Sequence, residues 1–128
     1  MAGRFVYLRL LRTSLVLGAI YDLVFAALMV LAPQLPARLL RVPLPGQPFY
    51  LWVMAVLLGM VATLYLLAAQ DPRRYSGVVT VAIVGRLLGA AAFAVAALGS
   101  AALAGLWYCA GADAAFGVAH AVLRPRQA

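Results

Sequence analysis

The chain has 128 residues, 67% of them apolar, with a formal net charge of +7 and a mean hydropathy of +1.04. A water-soluble domain of this size is mostly surface and cannot hide so much apolar area, whereas a bilayer lets the outside of a bundle be apolar too. The charge does not indicate nucleic acid: all ten basic residues are Arg, and most stand where topology signals stand, at the ends of apolar runs.

The first apolar run follows Arg4, Arg9 and Arg12 and predicts a membrane span over about 12–32. It is long enough to cross, and longer than a usual signal-peptide core, so it reads as a retained helix. Pro33 and Pro36 end it, because proline lacks a backbone donor and restricts the residue before it. A proline-rich connection to Pro48 follows. Its middle, Leu35-Pro36-Ala37-Arg38-Leu39-Leu40-Arg41-Val42, predicts a short interfacial helical turn with leucines toward the bilayer and Arg38 and Arg41 at the headgroups.

The second predicted span, 49–70, opens with Phe49, Tyr50 and Trp52, whose amphipathic rings favour the interface. Asp71-Pro72-Arg73-Arg74 is a tight turn, since Asp accepts from the following backbone and Pro presets the turn dihedral. The third span is predicted over 76–98 and the fourth over 102–123. Between them only Gly99-Ser100 interrupts an apolar run of about 46 residues. A single helix of that length greatly exceeds a ~30 Å hydrocarbon core, so a hairpin is expected there. The expected fold is an all-α, four-helix transmembrane bundle in one domain. Arg4, Arg9, Arg12, Arg73, Arg74, Arg124 and Arg126 would lie on one side and Arg38 and Arg41 on the other. The positive-inside rule then predicts both termini in the cytoplasm.

Three ionisable residues fall inside spans. Asp22 is ten residues past Arg12, Arg86 ten past Ser76, and Asp113 ten before Leu123. At ~1.5 Å per residue each lies about 15 Å from the cytoplasmic boundary, near the middle of the core. An isolated charge there costs at least ~2.5–3.5 kcal/mol on insertion scales, so Arg86 is expected to lie between the two acids. Such a cluster serves either as structural glue or as the polar end of a ligand or proton site.

Other features are less specific. His120 lies two turns beyond Asp113 and reads most simply as an interfacial histidine meeting headgroups or water. With Tyr21 it forms a candidate cytoplasmic-side extension of the polar cluster. Gly85 and Gly89 form a GxxxG, and Gly111 and Gly117 smooth the fourth span; these four are candidate helix-packing positions. Asp22-Leu-Val-Phe25-Ala26 and Asp113-Ala-Ala-Phe116-Gly117 share a pattern that coincidence explains in so restricted an alphabet. Cys109 is alone and behaves as a small apolar residue. One His, one Cys and no Glu do not make a metal site, and no nucleotide or hydrolase motif is present.

Tyr21-Asp22-Leu23-Val24-Phe25 followed by Ala32-Pro33, the stretch 49–75 with its Asp71-Pro72-Arg73-Arg74 turn, and Gly85-Arg86-Leu87-Leu88-Gly89 resemble small four-helix bacterial membrane proteins of the DoxX-like kind. The resemblance covers most of the chain as a pattern of spans and interruptions. It implies a compact bundle of a kind whose members include some associated with quinone or thiol redox systems, and carries over no catalytic residues.

Three functions compete. The leading expectation is a non-enzymatic accessory subunit packing against other membrane-protein subunits or against itself. The second is a lipophilic-ligand protein or redox helper, with the charged trio orienting a quinone or lipid. The third is a small proton-coupled transporter acting as an oligomer. Membrane lipid is a partner in all three, and no cofactor is required by the residues themselves.

Overall fold

The computed structural model describes residues 2–124, so Arg126 of the expected cytoplasmic arginine set lies outside the described residues. It is an all-α bundle of four long apolar helices and one short one. In order these are α1 (Ala2–Leu31), α2 (Gln34–Leu40), α3 (Pro48–Gln70), α4 (Ser76–Gly99) and α5 (Leu106–Leu123), with a 3-10 turn at Ala101–Leu103 before α5. All four long helices are long and apolar enough to cross a membrane, and the chain is an integral membrane protein.

The local chemistry sets the boundaries. Helix α1 stops at Leu31, directly before Ala32-Pro33. Its 30 residues exceed the predicted span of 12–32 because the helix continues N-terminally past Arg12, through Arg9. Pro48 occupies the first turn of α3, where a missing N–H costs nothing. Asp71 Oδ1 accepts from the backbone N–H groups of Arg73 and Arg74, both at 3.2 Å, closing the expected turn into α4.

Helix α2 takes the place of the predicted interfacial turn. It ends with Arg41 in the left-handed region at φ 52°. Arg41 N–H donates to Arg38 O at 3.2 Å and Val42 N–H to Ala37 O at 3.0 Å. That pairing is the Schellman arrangement usually built on glycine; here an arginine adopts it, at a steric cost.

The fourth helix begins at Leu106, four residues after the predicted start. Reversal consumes extended Ser100, the 3-10 turn and two further residues. Gly105 has a specific reason to be glycine: a Cβ there would overlap the carbonyl oxygen of Leu40. The end of α2 thus rests on the bare start of α5.

Helix α1 packs chiefly along α3, and α4 along α5. The two pairs meet mainly where α1 faces α5, while α3 and α4, although joined by a tight turn, touch little. At the end carrying the α3–α4 turn, Leu11, Leu15, Ala19, Ala62, Tyr65, Ala68, Ala69, Val79 and Ala82 form one buried core. Five of these nine are alanine, which lets helix backbones approach closely.

Candidate functional site

The three intramembrane charges meet. Arg86 of α4 donates through Nη1 to Asp113 Oδ1 of α5 at 2.6 Å, and through Nη2 to Asp22 Oδ2 of α1 at 2.8 Å. Nη2 also donates to the carbonyl oxygen of Gly18, one turn before Asp22, at 3.1 Å. All three side chains are buried, Asp22 being 1% exposed. In their usual charge states the trio carries a net −1. It ties three of the four spans together at one level.

Aromatic rings surround this cluster. The guanidinium carbon of Arg86 lies 5.1 Å from the ring centre of Tyr65, 5.2 Å from that of Phe116 and 5.6 Å from that of Tyr21. Rings within about 6 Å attract a cation through their quadrupoles, most strongly where water is excluded. The signal for Phe116 was present in the Asp-x-x-Phe pattern, since position i+3 lies on the same helix face as the acid. Both phenylalanines of that pattern pack on Tyr21, with ring centres 5.0 Å away for Phe25 and 5.8 Å for Phe116. Gly18 was legible too, four residues before Asp22. Its lack of a side chain leaves the carbonyl open to Arg86, whose Nη2 would lie 3.3 Å from an added Cβ.

The four glycines assigned to helix packing divide. A Cβ on Gly89 would come within 2.6 Å of Asp113 Oδ2, and one on Gly117 within 2.9 Å of Leu87 Cδ2. Gly89 therefore makes room for the carboxylate, and Gly117 for α4. Gly85 and Gly111 are exposed, with nothing within 4 Å of an added Cβ. Packing within the chain through these two is corrected: both lie on the outer faces of their helices, Gly85 about 100° around α4 from the inward-facing Arg86.

His120 and Tyr21 do not form one cytoplasmic-side extension. His120 is 0% exposed, so the expectation of an interfacial histidine is corrected. It packs with ring centres 6.0 Å from Tyr65 and 6.1 Å from Phe116. Neither ring nitrogen makes a hydrogen bond of full geometry among the described residues, and the Ser14 backbone is a polar group beside the ring. Tyr21 is half-buried and faces the opposite way, into a cavity on the α2 side of the charged trio.

That cavity has a volume of about 210 Å³. A single water needs only ~10–15 Å³ on the same measure, so this is no packing void. Asp22, Arg86 and Asp113 line it together with Tyr21, Phe25 and Met29 of α1, Met54 and Leu58 of α3, Phe93 of α4, and Leu106 and Cys109 of α5. Helix α2 and the Val42-Pro43-Leu44-Pro45 segment form its remaining wall. The prolines limit that segment's freedom and keep it from becoming a further helical turn. An apolar chamber with a few convergent polar groups at one end is the usual form of a small-molecule site. Against this geometry, no family model matches the chain, and no curated protein and no solved structure matches it.

Proposed function

We propose that this protein binds a lipophilic small molecule of the quinone or lipid kind in the cavity beneath α2, with the polar end of that molecule at the Asp22–Arg86–Asp113 cluster. The observation that carries the reading is that one cavity joins all three buried charges to a wall of aromatic, methionine and leucine side chains. If the trio served only to fix helix orientation, it would have no need of a chamber against it. Arginine distribution supports an orientation with both termini in the cytoplasm, and with α2 and the cavity toward the outer half of a bacterial cytoplasmic membrane. Kinship with the DoxX-like proteins rests on the span pattern and agrees with a quinone-type ligand.

Protein purified in mild detergent and extracted for mass spectrometry should release one lipophilic compound at close to one per chain. Release of bulk lipid alone contradicts the proposal. A second reading, the accessory subunit, is favoured by Gly85 and Gly111, which present bare backbone on the outer surface of α4 and α5. Small residues so placed let a neighbouring helix approach closely. Crosslinking in the source membrane from positions beside Gly85 should then capture one recurrent partner, and labelling of lipid alone removes this reading.

A further inference from the structure

Helix α2 presents three different faces. At about 100° per residue, Pro36 and Leu40 share one direction, Leu35 and Leu39 a second, and Gln34 and Arg38 a third. Pro36 and Leu40 line the cavity. Leu35 and Leu39 are exposed. Gln34, Arg38 and, just past the helix end, Arg41 border one surface depression together with Ala37, Val42 and Leu44. Both arginines are exposed, and neither has an acidic partner among the described residues. The chain has only three acids. Arg86 holds Asp22 and Asp113, and Asp71 stands at the opposite end of α3. Arg41 also keeps its left-handed φ of 52°, where glycine would close the same helix end without the steric cost. A guanidinium retained there, beside a second one with no counter-ion, calls for an anion from outside the chain.

We infer that the outward face of α2 is a docking site for one anionic phospholipid, with its phosphate between Arg38 and Arg41 and its acyl chains beside Leu35 and Leu39. Guanidinium groups match phosphate oxygens in geometry as well as in charge. The helix stands where a membrane supplies such groups: it follows directly on the end of one span and precedes Phe49, Tyr50 and Trp52 at the start of the next. The exposed leucines decide between sources of the phosphate. A free phosphate ion makes no use of them, whereas a lipid covers them with its own chains. The charge decides between lipids. A zwitterionic headgroup brings a cation of its own against two arginines, and an anionic headgroup does not. The site uses a different face of α2 from the cavity and stands whether or not the cavity holds a ligand.

The test titrates the full-length protein in mild detergent with dioleoyl phosphatidylglycerol or dioleoyl phosphatidylcholine, read by native mass spectrometry. The first phosphatidylglycerol should bind at least about tenfold more tightly than phosphatidylcholine, since each arginine near an anionic headgroup contributes about fivefold. Arg38→Gln with Arg41→Gly should bring the two lipids to within about twofold of each other. Glycine keeps the helix cap, so this loss should come without a lower melting temperature. Two controls should keep the preference: Arg73→Gln with Arg74→Gln, which removes the same charge from the other end of the bundle, and Leu58→Phe, which fills the cavity wall. No preference in the wild type contradicts the inference outright. Equal loss in the Arg73 and Arg74 control reduces the effect to net charge and overturns the site. Loss with Leu58→Phe places the lipid in the cavity and overturns it too. Displacement of the bound lipid by inorganic phosphate makes the occupant a free anion rather than a lipid.

Discussion

The two ends of the bundle share one composition and differ in packing. At the end with the α3–α4 turn, alanines at 19, 62, 68, 69 and 82 bring the helices together around Leu11, Leu15 and Val79. At the other end Tyr21, Phe25, Met29, Met54, Leu58 and Phe93 surround open space. The charged trio lies between the two. The contrast teaches that side-chain size, not hydrophobicity, decides where a membrane bundle closes. Lipid tails are as apolar as leucine, so helices associate where small residues permit close backbone contact and stand apart where large ones do not.

Removal of the tie between the two ends should have the largest effect. Arg86→Met leaves two buried carboxylates without their cation, and breaking a buried pair in this way costs about 3–5 kcal/mol. The variant should lose its cooperative thermal transition in detergent. A melt like that of the wild type would show that the trio does not hold the halves together.

Enlarging side chains at each end addresses the contrast itself. Ala19 is 0% exposed, and Ala19→Leu should destabilise by about 1–3 kcal/mol through overpacking. Leu58→Phe, which expands into the cavity, should change stability by less than about 1 kcal/mol. Equal penalties in denaturant unfolding would remove the distinction between closed and open ends. A matched pair on α4 sharpens the comparison. Gly89→Ala forces a Cβ against Asp113 and should cost about 1–2 kcal/mol. Gly85→Ala meets nothing and should be neutral or slightly stabilising.

An effect of the opposite sign is expected at His120. His120 is buried and its nitrogens make no hydrogen bond of full geometry, so His120→Phe should raise stability by about 1 kcal/mol. A loss of stability would show that the imidazole makes a polar contact of its own.

The spans and the meeting of the three charges were legible because each rests on a one-dimensional quantity. A hydrocarbon core fixes helix length, and counting residues from a boundary fixes depth. That is enough to place Asp22, Arg86 and Asp113 at one level. Direction around a helix was less legible. Almost every face here is apolar, so nothing in the pattern separates a core-facing position from a lipid-facing one. Gly85 and Gly89 therefore read alike although one faces outward and the other an acid. His120 was misread for a related reason. Its place near the end of a span suggested headgroups, and its burial depends on how α1, α3 and α5 come together. A ligand site at the trio was one reading of the sequence, but the cavity's walls were not legible, because they are made by side chains from five helices and by the seat of α2 on Gly105.

The central claim is that the trio is kept for what it binds rather than for the stability it confers. Buried ion pairs replaced as a set by apolar residues of similar volume often leave a protein equally or more stable. The decisive measurement is native mass spectrometry, alongside a thermal melt, of the triple variant Asp22→Leu/Arg86→Met/Asp113→Leu. The expected result is a folded bundle, at least as stable as the wild type, that no longer carries a lipophilic ligand. A triple variant that retains the ligand, or that cannot fold, contradicts the claim.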